Sequence, residues 1–215
     1  MSFVKIDLAH YPRRKHLEHF TSLQYPYAGV TAEIDVTDLV GCCKRRHCSF
    51  YLVFLHAAAL AADGVRELRQ RIRGGDVIEY DACPTSHIEL LENDTYCYCT
   101  LRHHMDLDAF LPYAEDMRRK CRLAGSIEED EDVESMYFIS TLPWIHYTSL
   151  IQPVGGGDDS NPRITWGKFQ ADSNGRLQMP VTLLAHHGLV DGIHIARFFD
   201  NLQKQLEFIT GEMKE

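Results

Sequence analysis

The chain has 215 residues, 45% hydrophobic and 25% charged, and carries a net charge of −9. That balance predicts one packed domain over residues 1–215 and excludes a nucleic-acid surface, since Arg13-Arg14-Lys15 and Lys44-Arg45-Arg46 are too short to outweigh the acidic whole. No apolar run reaches the roughly 18 residues of a membrane-crossing helix, and the first residues lack a signal peptide's charged head and apolar stretch. The seven cysteines are odd in number and form no C-x-x-C pair. They read as free thiols of a cytoplasmic chain.

In chain order, residues 3–20 hold a short strand and then a polar helical turn, with Pro12 in the first turn, where its missing N–H costs nothing. Residues 30–36 alternate apolar and polar and predict a half-buried strand, and residues 37–40 open a short helix. Residues 50–62, dense in apolar side chains and alanine, predict a buried helix that Arg66-Glu67-Leu68-Arg69 continues or follows as a turn. Gly74-Gly75 joins two short strands, and residues 87–91 and 95–101 form two more around Glu92-Asn93-Asp94. Residues 108–123 place Phe110, Leu111, Ala114, Met117 and Cys121 on one helical face. The acidic run Glu128-Glu129-Asp130-Glu131-Asp132 reads as a solvated loop. Residues 136–140 and 145–150 predict strands on either side of Pro143-Trp144, and residues 155–162 a flexible segment. Residues 163–169 and 177–185 add two strands joined through a hairpin-like Ser173-Asn174-Gly175. The sum is an α/β fold, a two-layer sandwich in which helices cover a mixed β-sheet.

Chemistry concentrates in residues 179–192. An apolar strand ends in His186-His187, and Gly188 and Gly192 allow the backbone to turn sharply. Asp191 then stands at a helix N-cap position, ahead of Ile195, Phe198, Phe199, Leu202 and Leu206 at helical spacing. An imidazole held at such a corner suits a general base, because its unperturbed pKa of roughly 6.5 lies near working pH. The same residues also fit a satisfied polar corner in which Asp191 only caps a helix. Twelve histidines raise the question of a metal, but neither His103-His104 nor His186-His187 has zinc spacing, since neighbours on a strand point to opposite faces. No metal is expected.

The run from His186 to Gly192, His-His-x-x-x-Asp-Gly, resembles the signature of the chloramphenicol acetyltransferase family, and its core is shared with the wider CoA-dependent acyltransferases. Further matches follow in order. Residues 11–17 are similar to the family's Trp-x-Arg-(Arg/Lys)-Glu-His-Phe, Phe50-Tyr51-Leu52-Val53 to its Phe-Tyr-Pro-Val, residues 139–144 to its Ser-x-x-Pro-Trp, and residues 165–169 to its Thr-Met-Gly-Lys-Tyr.

The resemblance implies direct transfer of an acetyl group from acetyl-CoA to the hydroxyl of a small-molecule alcohol, chloramphenicol first among them. It makes His187 the base and Ser140 the donor to the oxyanion. Thr165 assists the tetrahedral intermediate, and Asp191 pairs bidentately with Arg13 to fix the loop carrying the base. His186 is structural. Lys168 and Trp144 would meet CoA, while Ser49 replaces a second family lysine. His19, Phe20, Tyr96, Leu150, Gln152 and Val154 fall at acceptor-pocket positions, of which His19 and Gln152 are more polar than the family pattern. A homotrimer with active sites between subunits is implied. Two other readings stand beside this one. A dihydrolipoamide acyltransferase domain would have an Asp where Ala185 stands before His186, and a trimeric ligand-binding homologue would have lost turnover.

Overall fold

The structure is a computed structural model that describes residues 1–128, 132–156 and 158–214. Glu129, Asp130 and Glu131 of the acidic run, and Gly157, lie outside the described residues. The principal sheet runs in the order β2 (Tyr27–Asp35), β10 (Leu177–His186), β8 (Arg163–Gly167), β7 (Tyr137–Leu142), β5 (Thr85–Leu90) and β6 (Tyr96–Leu101), with β9 (Gln170–Ala171) paired to β10. β7 runs parallel to both β5 and β8 and the other pairings are antiparallel, so the sheet is mixed, as expected. A separate three-stranded sheet joins β1 (Phe3–Lys5), β4 (Asp76–Tyr80) and β3 (Gln70–Arg73).

Side chains alternate across a strand, which sorts the principal sheet into two faces. One face meets the helices. There α3 (Phe50–Asp63) lies almost wholly buried, with Phe54 edge-on to Trp166 of β8 at 4.9 Å. Against α3 pack α4 (Leu107–Ala124) and α5 (Gly192–Glu212), and α2 (Thr37–Arg46) touches both α3 and α5. The opposite face carries Ser140, Thr165 and Thr182 in one register row.

Several elements differ from the sequence reading. Pro12 precedes the first helix, α1 (Arg14–Thr21), and does not sit inside its first turn. The helix opened by Thr37 runs on through Gly41-Cys42-Cys43 to Arg46, so its Lys44, Arg45 and Arg46 occupy the last turn, where cations complement the negative end of the helix dipole. Residues 145–150 are not a strand. After Leu142 the chain turns and crosses the open sheet face, held by a side chain in place of a backbone ladder, as Tyr147 Oη donates to the Thr165 carbonyl at 2.8 Å. The crossing is so close that a Cβ on Gly167 would lie 2.7 Å from the Ile145 carbonyl oxygen.

Candidate active site

The corner after β10 is built tightly. The His187 amide extends the pairing to the chain ahead of β2 by donating to the Pro26 carbonyl at 2.8 Å. His186 is buried, and its Nδ1 accepts from the Gly188 amide at 3.1 Å. Glycine is favoured at 188, because a Cβ there would stand 3.0 Å from the His186 ring, closer than an ordinary contact. These contacts give His186 a structural task.

His187 points the other way and is half-buried, stacked face to face on Phe20 with centroids 3.8 Å apart. Its Nδ1 lies 3.0 Å from the Val190 carbonyl oxygen. A carbonyl only accepts, so Nδ1 carries a proton, and the tautomer this contact selects has its lone pair on Nε2. The result is an oriented imidazole whose Nε2 is not the nitrogen held by Val190.

Arg13 ties α1 to this corner, but not as a bidentate carboxylate pair. Its fork divides, with Nη1 donating to Asp191 Oδ2 and Nη2 to the His187 carbonyl, both at 3.0 Å. One guanidinium thus grips the loop at both ends. The Arg13 hydrogen bond is the main cause that holds the Asp191 carboxyl below its ordinary pKa, against the opposing effect of burial. Asp191 also caps α5 in a capping box, and its amide donates to His194 Nδ1 at 2.8 Å. His194 Nε2 faces Glu67 at 3.6 Å. His194 escaped the sequence reading, although its place three residues after the cap is the signal that marks it.

Ser140 lies elsewhere in the same sheet. Its register partner on β8 is Thr165, whose partner on β10 is Thr182. Thr182 Oγ1 donates to Tyr147 Oη at 3.1 Å, and Gln152 Nε2 donates to Thr165 Oγ1 at 2.8 Å. His187 is five residues beyond Thr182 and two strands across from Ser140. At about 3.3 Å per residue and 4.8 Å per strand, the two lie roughly 19 Å apart within one chain. One copy therefore does not bring His187 and Ser140 together.

Ser140 lines two cavities. One, of about 370 Å³, also contains Ile88, Tyr98, Phe138, Gln152 and Arg163. The other, of about 540 Å³, contains Tyr51, Tyr96, Arg118, Thr141 and Trp144. Tyr96 thus groups with Trp144 and not with Gln152. Leu150 and Val154 belong to the segment that crosses the open face, from which Gln152 and Pro153 line the smaller cavity. His19 is exposed beside Phe20, their rings 5.0 Å apart, and Lys168 is exposed just after β8. Ser49 is the N-cap of α3, accepting from the Leu52 amide, which is a local reason for a serine there.

Beneath Ser140, on the helix face, Glu89 is buried between His87, Arg118 and Arg122. Burial pushes its carboxyl up, but the hydrogen bonds from His87 and Arg118 outweigh it and bring the pKa down to about 2. His103 and His104 do not follow the strand geometry expected of them. β6 ends at Leu101, and in the loop beyond it both rings turn toward Asp63.

The fold is that of the CoA-dependent acyltransferases. It is similar to the structure of a probable dihydrolipoamide acetyltransferase from Listeria monocytogenes, with a TM-score of 0.69 at 15% identity over 96% of this chain and 94% of that one. A solved chloramphenicol acetyltransferase is more similar, with a TM-score of 0.80 at 25% identity over 94% of this chain and all of that one. The chloramphenicol acetyltransferase family model matches residues 1–203, and the chain belongs to that family. Chloramphenicol acetyltransferase 3 of Escherichia coli is 28% identical over 207 residues, covering 95% of this chain and 97% of the relative.

Proposed function

We propose that this protein transfers the acetyl group of acetyl-CoA directly to the hydroxyl of a small alcohol, with chloramphenicol the first acceptor to test. The observation that carries the proposal is the His187 imidazole, whose Nδ1 is committed to the Val190 carbonyl so that Nε2 is free to accept a proton. Nε2 takes the hydroxyl proton as the oxygen attacks the thioester carbonyl. The C–S bond then breaks, and the departing thiolate recovers the proton from the imidazolium. Ser140 Oγ, which makes no hydrogen bond to protein among the described residues, donates to the oxyanion formed in between. Thr165, tied to Gln152, assists from the next strand.

The separation of roughly 19 Å supports a site shared between copies, with His187 from one subunit facing Ser140 of another in a homotrimer. Acetyl-CoA then approaches Ser140 past Trp144 and Lys168, and the acceptor past Gln152, Phe20 and His19. Among the described residues Gln152 Oε1 is buried without a partner, which favours an acceptor bearing a further hydrogen-bond donor. The test is release of free CoA thiol when the protein is given acetyl-CoA and chloramphenicol, then a panel of polar alcohols. Thiol release that His187→Ala cuts by at least about 100-fold is expected of a general base. Equal rates in both proteins would overturn the proposal.

A further inference from the structure

Away from the candidate acyl-transfer site, three side chains converge that the proposed chemistry does not use. Asp63 ends α3, and His103 and His104 lie in the connection between β6 and α4. His103 Nε2 is 2.5 Å and His104 Nε2 3.0 Å from the same oxygen, Asp63 Oδ2. One donor atom from each residue falls within 4.8 Å of the others. The geometry points to a binding site for a divalent transition-metal ion of the zinc type, held by Asp63, His103 and His104.

The donor set carries the choice of ion. Two imidazole nitrogens and one carboxylate oxygen suit zinc and its neighbours, whereas magnesium and calcium prefer oxygen alone. Three protein ligands leave a fourth position, and the half-exposed ring of His104 places it toward solvent. The other two ligands are anchored. His103 is fully buried, and the Tyr137 hydroxyl donates to Asp63 Oδ1 at 2.8 Å, leaving Oδ2 for the ion. Such an outer hydrogen bond orients a ligating carboxylate.

The loop itself is pinned. His56 Nε2 lies 3.1 Å from the His103 carbonyl oxygen and 3.0 Å from that of Met105, so it donates to both. Arg69, a neighbouring cation, donates to the Asp63 and Tyr80 carbonyls and faces the Glu79 carboxylate. A bound ion would clip the end of α3 to the β6–α4 connection and, through Tyr137, to the start of the strand that carries Ser140.

The full-length protein, stripped with a chelator, is titrated with Co²⁺ and then with Zn²⁺. We expect one Co²⁺ per chain with visible d–d bands of a four-coordinate site, displaced by Zn²⁺, and a thermal midpoint that rises with added Zn²⁺. His104→Ala, at a half-exposed position, weakens Co²⁺ binding by at least about tenfold. His16→Ala, on the exposed side of α1, leaves binding unchanged. No d–d bands together with a midpoint indifferent to Zn²⁺ would overturn the proposal. So would stoichiometric binding that survives His104→Ala, which would assign the ion to other histidines. The readouts are binding and unfolding, so this site stands or falls apart from acetyl transfer.

Discussion

Replacing Arg13 with alanine separates a base that is merely present from one that is held. Arg13 makes two charge-assisted hydrogen bonds of 3.0 Å, to Asp191 and to the His187 carbonyl, and its side chain is only 13% exposed. Such bonds contribute about 1.5–3 kcal/mol each where partners are buried. The Asp191 side chain is 39% exposed and recovers water when its partner is lost, so the combined loss is discounted to about 2 kcal/mol. In a chain of this size that lowers the thermal midpoint by about 4–8 °C. The kinetic effect is larger, because an imidazole displaced by about 1 Å costs up to roughly 100-fold in turnover. Arg13→Ala is therefore expected to lower kcat by about 10–100-fold with little change in KM for acetyl-CoA, measured by thiol release beside a thermal melt. Arg13→Lys should recover part of the stability but little of the rate, because an ammonium cannot divide between two acceptors as a fork does. An Arg13→Ala enzyme with a wild-type midpoint and kcat would refute the idea that this guanidinium positions His187.

Asp191→Asn should lower kcat and also the midpoint, the latter by less than Arg13→Ala does, because asparagine still caps the helix but carries no charge for Arg13; unchanged turnover with an unchanged midpoint would count against the pairing. Ser140→Ala should cost about 10²–10³ in kcat, the usual loss of one oxyanion donor. If sites lie between copies, mixing His187→Ala with Ser140→Ala subunits should regenerate about a quarter of the sites, whereas sites confined to one chain would regain nothing. The Glu89 pKa, lowered to about 2, contributes stability that is complete above the ordinary carboxylate range and is lost as pH falls toward 2. Urea melts should thus show Glu89→Gln destabilised by about 3 kcal/mol near neutrality, with the gap to wild type narrowing as pH drops from about 5 to 2; a gap independent of pH would remove the carboxylate from the account.

Much of this was legible in the chain because the physics is local. Hydrophobic runs and their periods located α3, α4, β10 and α5, since burial of one face is written into residue spacing. The placement of Asp191 as a cap, and of glycine beside His186, likewise follows from backbone geometry within a few residues. Residues 145–150 were misread for the opposite reason. Only Tyr147 of this stretch is buried, and the bonds that hold it, from Tyr147 to Thr165 and from the Lys168 amide to the Ile145 carbonyl, reach residues distant in sequence.

The sequence alone determined that an imidazole would stand at a strand-to-helix corner beside an aspartate cap, while the pairing of that aspartate with Arg13 was implied only by the family resemblance. Tertiary structure decided which ring nitrogen is basic, because the Val190 carbonyl that binds Nδ1 has no side-chain signature. It also decided that Arg13 divides its fork, that Ser140 lies roughly 19 Å from His187 in the same chain, and that two neighbouring histidines meet one carboxylate at Asp63. Each of these depends on groups distant in sequence, whose meeting is set by strand order and loop path.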